Sequence, residues 1–205
     1  MRFRILALST GALAAALVLA GCAPTDGSMP GMDHGPGGMT SSTPAPSGQA
    51  SFNSADEMFV TMMIPHHEQA IEMADQILAK DGIDERVVTL AEQIKAAQGP
   101  EIQTMKGWLE DWGIPYDDSM SDMGGMDHGD GMMSDDDMAA LDAATGVEAT
   151  RLFLEGMIGH HQGAVTMAQM VLDNGENPDV AALAQQIIDG QTAEITTMQD
   201  ILAAL

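Results

Sequence analysis

The chain contains one long segment twice, and this duplication limits its possible folds more than any other feature. Residues 59–78 return 94 positions later as 153–172, and residues 90–105 return 93 positions later as 183–198. Two copies are too few for a solenoid, in which at least three repeats stack to form a continuous core. The sequence therefore predicts that the two copies pack against each other within one domain.

The start of each copy carries the signals of a long amphipathic helix. Apolar residues recur at intervals of three and four between residues 60 and 78, which is the period of one helix face. Ser54 and Glu57 have the spacing of a capping box, and so do Thr145 and Glu148. We therefore expect a helix to begin near each of these two positions.

A second helix is predicted in each copy. Asp84 is placed to cap the first of these, which should run to about Trp112. In the other copy, Asn177 and Pro178 read as a cap and the first helical residue. Two hairpins of this kind predict an all-α four-helix bundle, because each hairpin covers the apolar face of the other.

Imidazoles and thioethers share the predicted core face of these helices. Met63 and His67 are four residues apart and His66 and Met73 are seven apart, so each pair lies along one side of the helix. The second copy repeats the arrangement, and the second helices add one methionine each. The candidate metal ligands of the two copies are Met63, His66, His67, Met73, Met105, Met157, His160, His161, Met167 and Met198.

Methionine at helical spacing is most often core packing, and a single core histidine is most often hydrogen-bonded. Two adjacent histidine pairs in a core are costly unless every ring nitrogen is satisfied, so metal ligation is the favoured interpretation. Thioethers select Cu(I), and Ag(I) by the same preference, whereas nearby Asp and His can hold Cu(II) more loosely. Whether the two pairs share one site or form two stays open.

Two tracts outside the periodic regions are rich in Gly, Asp, Pro and Met. Residues 22–51 are predicted to be a disordered tether, and residues 113–137 a loop inserted in the duplicated domain at 52–205. The methionines in and next to both tracts, including Met132, Met133 and Met138, are interpreted as having no core to fill. The strongest candidate ligands in the loop are Met120, Met123, Met126 and His128.

The first 21 residues are predicted to be a lipoprotein signal peptide. A basic start with Arg2 and Arg4 precedes an apolar run that is too short for an ordinary membrane-spanning helix. The run ends in Leu-Ala-Gly-Cys, so Cys22, the only cysteine, is predicted to be lipidated after cleavage. We therefore expect secretion across the plasma membrane and anchoring in the bacterial cell envelope by this lipid alone.

The charge of the chain limits its partners. Acidic residues number 31 and basic residues 7, for a formal net charge of -24. Such a chain repels phosphate backbones and anionic lipids, so no nucleic acid is expected as a partner. The charge suits cations instead.

The duplicated core motif resembles a known family. Met-Ile-Pro-His-His-Glu-Gln-Ala-Ile-Glu-Met-Ala (63–74) and Met-Ile-Gly-His-His-Gln-Gly-Ala-Val-Thr-Met-Ala (157–168) are similar to the signature of domain of unknown function family 305. The resemblance implies a ferritin-like four-helix fold and copper binding outside the cytoplasm, as in CopM-type members. It carries over His66, His67, Met73, His160, His161 and Met167 as ligands, and Met63, Met105, Met157 and Met198 less directly.

The sequence thus predicts a non-enzymatic envelope lipoprotein that buffers or carries copper. A protein that exports or accepts copper is the partner expected beside the metal ion. One alternative is a metal-dependent oxidoreductase on a ferritin-like scaffold, although no Glu-x-x-His motif of the di-iron type occurs. The other alternative is a structural or partner-binding lipoprotein without metal.

Overall fold

A computed structural model of the chain describes residues 51–116 and 131–205. These residues form four long α-helices and one short one, and they contain no β-strand. The helices are α1 (Ser54–Leu78), α2 (Glu85–Trp112), α3 (Asp135–Ala143), α4 (Gly146–Asn174) and α5 (Pro178–Leu202). The prediction of an all-α chain is confirmed for these ranges.

The two copies of the repeat correspond to two helix pairs. In the first copy α1 packs against α2, and in the second copy α4 packs against α5. The copies meet mainly through α1 and α4, which therefore bring both histidine pairs to the contact between the copies. The short helix α3 lies against α1 and α4.

The buried apolar side chains form two clusters, each built from both copies. The Phe59 cluster includes Phe59, Ile64, Ile102 and Leu109 together with residues of α4 and α5. The Phe153 cluster includes Phe153, Leu154, Ile77 and Ile94 together with residues of α3 and α5. Phe59 and Phe153 occupy matching positions of the repeat, so each copy contributes the same anchor to a different cluster.

The helix starts agree with the sequence in the second helix of each copy. Asp84 caps α2 by accepting a hydrogen bond from the backbone N–H of Arg86. The side chain of Arg86 also donates to this carboxylate, and these bonds lower the pKa of Asp84 to about 2. Asn177 caps α5 by accepting from Asp179 and Val180, and Pro178 is the first helical residue, as predicted.

The two predicted capping boxes were wrong. The capping box of α1 lies one residue earlier, where Asn53 accepts from the backbone N–H of Asp56 and Asp56 accepts from that of Asn53. Thr145 does hold the cap position of α4, but its side chain makes no capping hydrogen bond. The carboxylate of Asp56 also accepts hydrogen bonds from the backbone N–H groups of Glu176 and Asn177. These bonds stabilise the helix start at this position.

The end of the methionine-rich loop is part of the packed structure. Ser134 caps α3 in a capping box with Asp137, so the acidic run at 135–137 is a helix start. Met138 is buried and Met133 is partly buried, and both pack in the Phe153 cluster. The interpretation that these two methionines have no core to fill was therefore wrong.

The loop end is also held by specific contacts with α1 and α4. The amide of Gln69 donates to the carbonyl oxygen of Met133 and accepts from its N–H, at 2.9 and 2.8 Å. Gly131 has a positive φ of 78°, and a Cβ there would overlap the carbonyl oxygen of Gly159. The chain therefore returns from the loop beside the histidine pairs of α1 and α4.

A search of the described helices for membrane spans found no helix that combines the length and the apolarity needed to cross a bilayer.

Candidate metal centre

The two copies hold a histidine in the same way. Nε2 of His67 lies 2.8 Å from Oε2 of Glu101, and Nε2 of His161 lies 2.7 Å from Oε2 of Glu194. Both imidazoles are fully buried, whereas each carboxylate remains 21% exposed. The second helix of each copy therefore fixes the orientation of a histidine on the first helix.

This contact determines which ring nitrogen is available. A carboxylate only accepts hydrogen bonds, so Nε2–H of His67 donates to Glu101 and Nδ1 keeps its lone pair. His161 has the same tautomer through Glu194. Within the described ranges, neither Nδ1 atom has a hydrogen-bond partner. A metal-binding histidine usually donates one ring N–H to a carboxylate or carbonyl and binds the metal through the lone pair of the other nitrogen.

The other two histidines bring the pairs together. The ring centres of His66 and His160 lie 3.7 Å apart, with an angle of 38° between the ring planes. The ring centres are 6.4 Å apart between His66 and His67, and 6.3 Å apart between His160 and His161. The four side chains thus form one group, here called the imidazole cluster. The two histidine pairs therefore lie together and not at separate places in the domain.

Burial in the imidazole cluster favours the neutral form of His160. Burial lowers the pKa of His160 well below its usual value of 6.5, and a positive charge on His66, His161 or His67 would lower it further. A neutral imidazole keeps the lone pair that a metal ion needs. A neutral ring at this position can therefore offer its lone pair to a cation.

Two glutamine side chains beside these contacts are also buried. Gln98 precedes Glu101 by one helical turn on α2, and Gln191 precedes Glu194 in the same way on α5. Their exposed fractions are 2% and 4%, and no described group hydrogen-bonds to either amide. A buried polar group without a partner costs about 1–3 kcal/mol. The two amides therefore stand at matching positions of the two copies with no described partner.

The six core methionines divide between the two apolar clusters according to the repeat. Met63, Met105 and Met167 lie in the Phe59 cluster. The matching positions of the other copy lie together in the Phe153 cluster, and these are Met157, Met198 and Met73. All six side chains are at most 4% exposed. Each cluster thus contains three thioethers, drawn from α1, α4 and one of the second helices.

Hard ligands do not form a centre by themselves. Among residues 51–116 and 131–205, no three His, Cys, Asp or Glu side chains converge in an arrangement that could hold a metal ion. A metal bound within the described part of the chain would therefore need thioether or amide ligands in addition to imidazoles. Thioethers in such a set would favour a soft ion over Zn(II), Mg(II) or a di-iron pair.

All ten candidate ligands of the duplicated region lie in the described helices and are buried. The structure brings the four histidines together and distributes the six methionines over two clusters. The remaining candidates lie outside the described residues, and these are Cys22, Met120, Met123, Met126 and His128.

Four residues of the centre were absent from the candidate ligands. Glu101 and Glu194 orient the histidines, and Gln98 and Gln191 lie one turn before them. The signal was present in the sequence, since Gln-x-x-Glu-Ile-x-x-Met occurs in both second helices. The sequence places these side chains at helical spacing before Met105 and Met198, but only the structure shows the contacts of Glu101 and Glu194 with the histidines.

Comparison with known proteins identifies the family of the chain. The profile of the family described as Domain of unknown function (DUF305) matches residues 56–202. The chain belongs to the DUF305 family. A partial relative is an uncharacterised protein of Acanthamoeba polyphaga mimivirus, which is 40% identical over 50 residues. This match covers 24% of the present chain, which spans only 33% of that relative.

Solved structures of DUF305 proteins have the same fold. A DUF305 fragment from Deinococcus radiodurans has a TM-score of 0.65 at 33% identity, over 77% of this chain and all of that one (100%). A DUF305 protein from Streptomyces coelicolor, described as a candidate secreted protein, has a TM-score of 0.65 at 33% identity. That match covers 74% of this chain and 92% of the other.

The protein CopM is a third structural relative. Its Cu(I)-bound form has a TM-score of 0.59 at 33% identity, over 73% of this chain and 96% of CopM. CopM has also been solved in Cu(II)-bound and silver-bound forms. A structural relative of this chain has therefore been solved with copper and with silver bound.

Proposed function

We propose that this DUF305 protein binds copper, preferentially as Cu(I), and buffers or carries it rather than catalysing a reaction. One observation carries the proposal. Two buried histidines, His67 and His161, each have Nε2–H bonded to a glutamate, and their Nδ1 atoms have no partner in the described part of the chain. The similarity to CopM, which has Cu(I)-, Cu(II)- and silver-bound forms, supports copper as the metal.

The preference for Cu(I) is supported by the buried thioethers of the four long helices. Six buried methionines lie in the adjoining apolar clusters, and thioethers are soft ligands. A thioether needs no deprotonation, so such a site retains its ligands in an acidic compartment. Ag(I), which has the same preference, is the practical substitute for Cu(I) in experiments.

The remaining features of the chain fit an extracytoplasmic role. The predicted signal peptide at 1–21 and lipid on Cys22 would place the protein in the cell envelope, and the likeness to a candidate secreted DUF305 protein agrees. Met120, Met123, Met126 and His128 would capture copper for the helical domain, which we assign to the ferritin-like four-helix class. A protein that exports or accepts copper would be the partner.

The proposal is tested by titrating the full chain with Cu(I) against a competing chelator, with Zn(II) and Fe(II) as control metals. We expect tight Cu(I) binding at more than one equivalent, with much weaker Zn(II) and Fe(II) binding. Equal affinity for all three ions would contradict the soft-ligand centre. Absence of tight Cu(I) binding would assign the methionines to packing and favour the structural or partner-binding lipoprotein.

A matched pair of variants separates the centre from unspecific binding by the acidic surface. In His67→Ala with His161→Ala, both open Nδ1 atoms are removed, whereas Glu92→Gln with Asp200→Asn removes two exposed carboxylates from α2 and α5. The histidine variant should lose the tightest Cu(I) equivalent, and the surface variant should keep it. The reverse result would show that the net charge of -24 accounts for the binding.

A further inference from the structure

The surface of the helical domain carries three exposed methionines around one groove. The groove has a volume of about 260 Å³ and lies between the start of α1 and the end of α4. Met58, Met62 and Met170 line it, and their exposed fractions are 62%, 40% and 54%. They are three of the five exposed large apolar side chains in the described ranges. We call these three residues the surface methionines.

The surface methionines line one groove from two helices. Met58 and Met62 are four residues apart on α1 and therefore neighbours on one face, and Met170 comes from the opposite wall on α4. The remaining walls are mainly apolar, with Phe59 and Val171 among them. The groove thus offers neutral soft donors and few groups that would attract a hard cation.

The groove also reaches the buried methionines. Met167 lines it together with the surface methionines, although Met167 itself is only 4% exposed. Met167 belongs to the Phe59 cluster, which contains Met63 and Met105 as well. Met167 therefore connects the exposed surface methionines with the buried methionines of the Phe59 cluster.

The matching positions of the repeat show that packing alone does not require these methionines. Leu152, Gly156 and Gln76 occupy the positions that correspond to Met58, Met62 and Met170. Leu152 and Gly156 lie under the loop end: a Cβ on Gly156 would be 2.6 Å from Sδ of Met133. One end of the repeat is thus covered by a loop segment, while the other is open and carries three thioethers.

We propose that Met58, Met62 and Met170 form a surface site that captures a soft monovalent cation, Cu(I) or Ag(I), and transfers it to the core through Met167. This inference rests on the proposed copper-binding function and adds an entry site to it. Because no donor has to lose a proton, capture at this site should not depend on pH in the range where the protein stays folded.

The test is a titration of the metal-free full chain with Ag(I), followed by NMR of ¹³C-labelled methionine methyl groups. The variant Met58→Leu, Met62→Leu, Met170→Leu assigns the three signals and removes the sulfurs while keeping apolar side chains of similar volume. The control Met132→Leu with Met133→Leu removes two thioethers beside the covered end. We expect the three groove methyls to shift with Ag(I), and the triple variant to bind one equivalent less, while the control keeps the groove shifts.

Two other outcomes would overturn the inference, and they differ in what else they contradict. If the methyls of Met63 and Met105 shift while the three groove methyls do not, the surface site is wrong and the buried copper centre stands. If no methionine methyl shifts and the full chain binds no Ag(I), both the surface site and the proposed function are wrong.

Discussion

The two copies of the repeat are nearly identical at the middle of α1 and α4 and different at the ends of these helices. In the middle, the histidine–glutamate distances are 2.8 and 2.7 Å, and the distances between paired histidine rings are 6.4 and 6.3 Å. At the start, α1 has a capping box with Asn53, whereas α4 has Thr145 without a capping hydrogen bond. The duplication is therefore kept where the imidazoles meet and lost where the helices begin.

The difference shows what each part of the helix has to satisfy. Residues in the middle of α1 face their counterparts on α4, so a change in one copy alters a contact that the other copy shares. Each end contacts a different part of the chain: Asp56 of α1 binds the turn before α5, and Gly156 of α4 lies under Met133. The ends can therefore differ without disturbing the centre.

The largest effect is expected where the copies touch. If His66 and His160 serve one shared centre, His66→Ala and His160→Ala should each weaken Cu(I) binding, by more than the factor of about 100 that loss of a supporting group can cause. The double variant should then be little worse than either single one. Chelator competition measures the affinity, and circular dichroism should show that helicity is retained. Unequal effects of the two single variants would mean that each copy has its own, different site.

A smaller effect is expected at the helix starts, where the copies differ. Asp56→Ala should lower the free energy of unfolding by about 2 kcal/mol, because the backbone N–H groups of Glu176 and Asn177 lose their acceptor. The matched change is Thr150→Ala, which removes a hydroxyl bond to the carbonyl of Gly146 and a buried methyl group and should cost less, because no backbone N–H loses its acceptor. Urea unfolding of the metal-free protein measures both. Equal losses would contradict the view that the ends have diverged in function.

The histidine–glutamate contacts give a third comparison. Glu101→Gln and Glu194→Gln should each weaken Cu(I) binding about tenfold, because the neutral amide orients the imidazole less firmly. Equal losses at the two positions would support the equivalence of the copies in the middle. The exposed carboxylate of Glu92 on α2 provides the control, since Glu92→Gln should leave the Cu(I) affinity unchanged. A tenfold loss in this control would point to surface charge instead.

The smallest effect concerns acid stability of the metal-free protein. The pKa of His160 is lowered in the folded state. Below its ordinary pKa of 6.5, this histidine therefore binds a proton in the unfolded chain but not in the folded protein. Stability should therefore fall as the pH drops below 6.5, by up to about 1.4 kcal/mol per pH unit from this one group. Unfolding at pH 7.5, 6.5 and 5.5 should show a shallower loss in His160→Gln. An unchanged slope would show that His160 does not limit acid stability.

Local signals predicted the second helices well. Asp84 and Asn177-Pro178 act through neighbouring backbone groups, so the sequence alone was enough. The start of α1 was misplaced by one residue, because Asn53/Asp56 and Ser54/Glu57 both have capping spacing. The contacts of Asp56 with residues more than a hundred positions away favour the first pair, and no local rule contains that information.

The candidate site was predictable in its residues but not in its arrangement. The repeat identified both histidine pairs, whereas the approach of His66 to His160 depends on how α1 packs against α4. Burial of Met133 and Met138 was missed for a similar reason, since the composition of the loop does not reveal where the chain returns to the core. The part of the prediction that failed is the part that depends on contacts distant in sequence.

The position of the aromatic side chains has an optical consequence. The chain has two tryptophans and one tyrosine, and Trp108, Trp112 and Tyr116 all pack against the Phe59 cluster. Intrinsic fluorescence therefore reports on the cluster that contains Met63, Met105 and Met167, and the Phe153 cluster has no such reporter. A fluorescence titration would therefore observe one half of a duplicated protein, and an event confined to the Phe153 cluster would leave that signal unchanged.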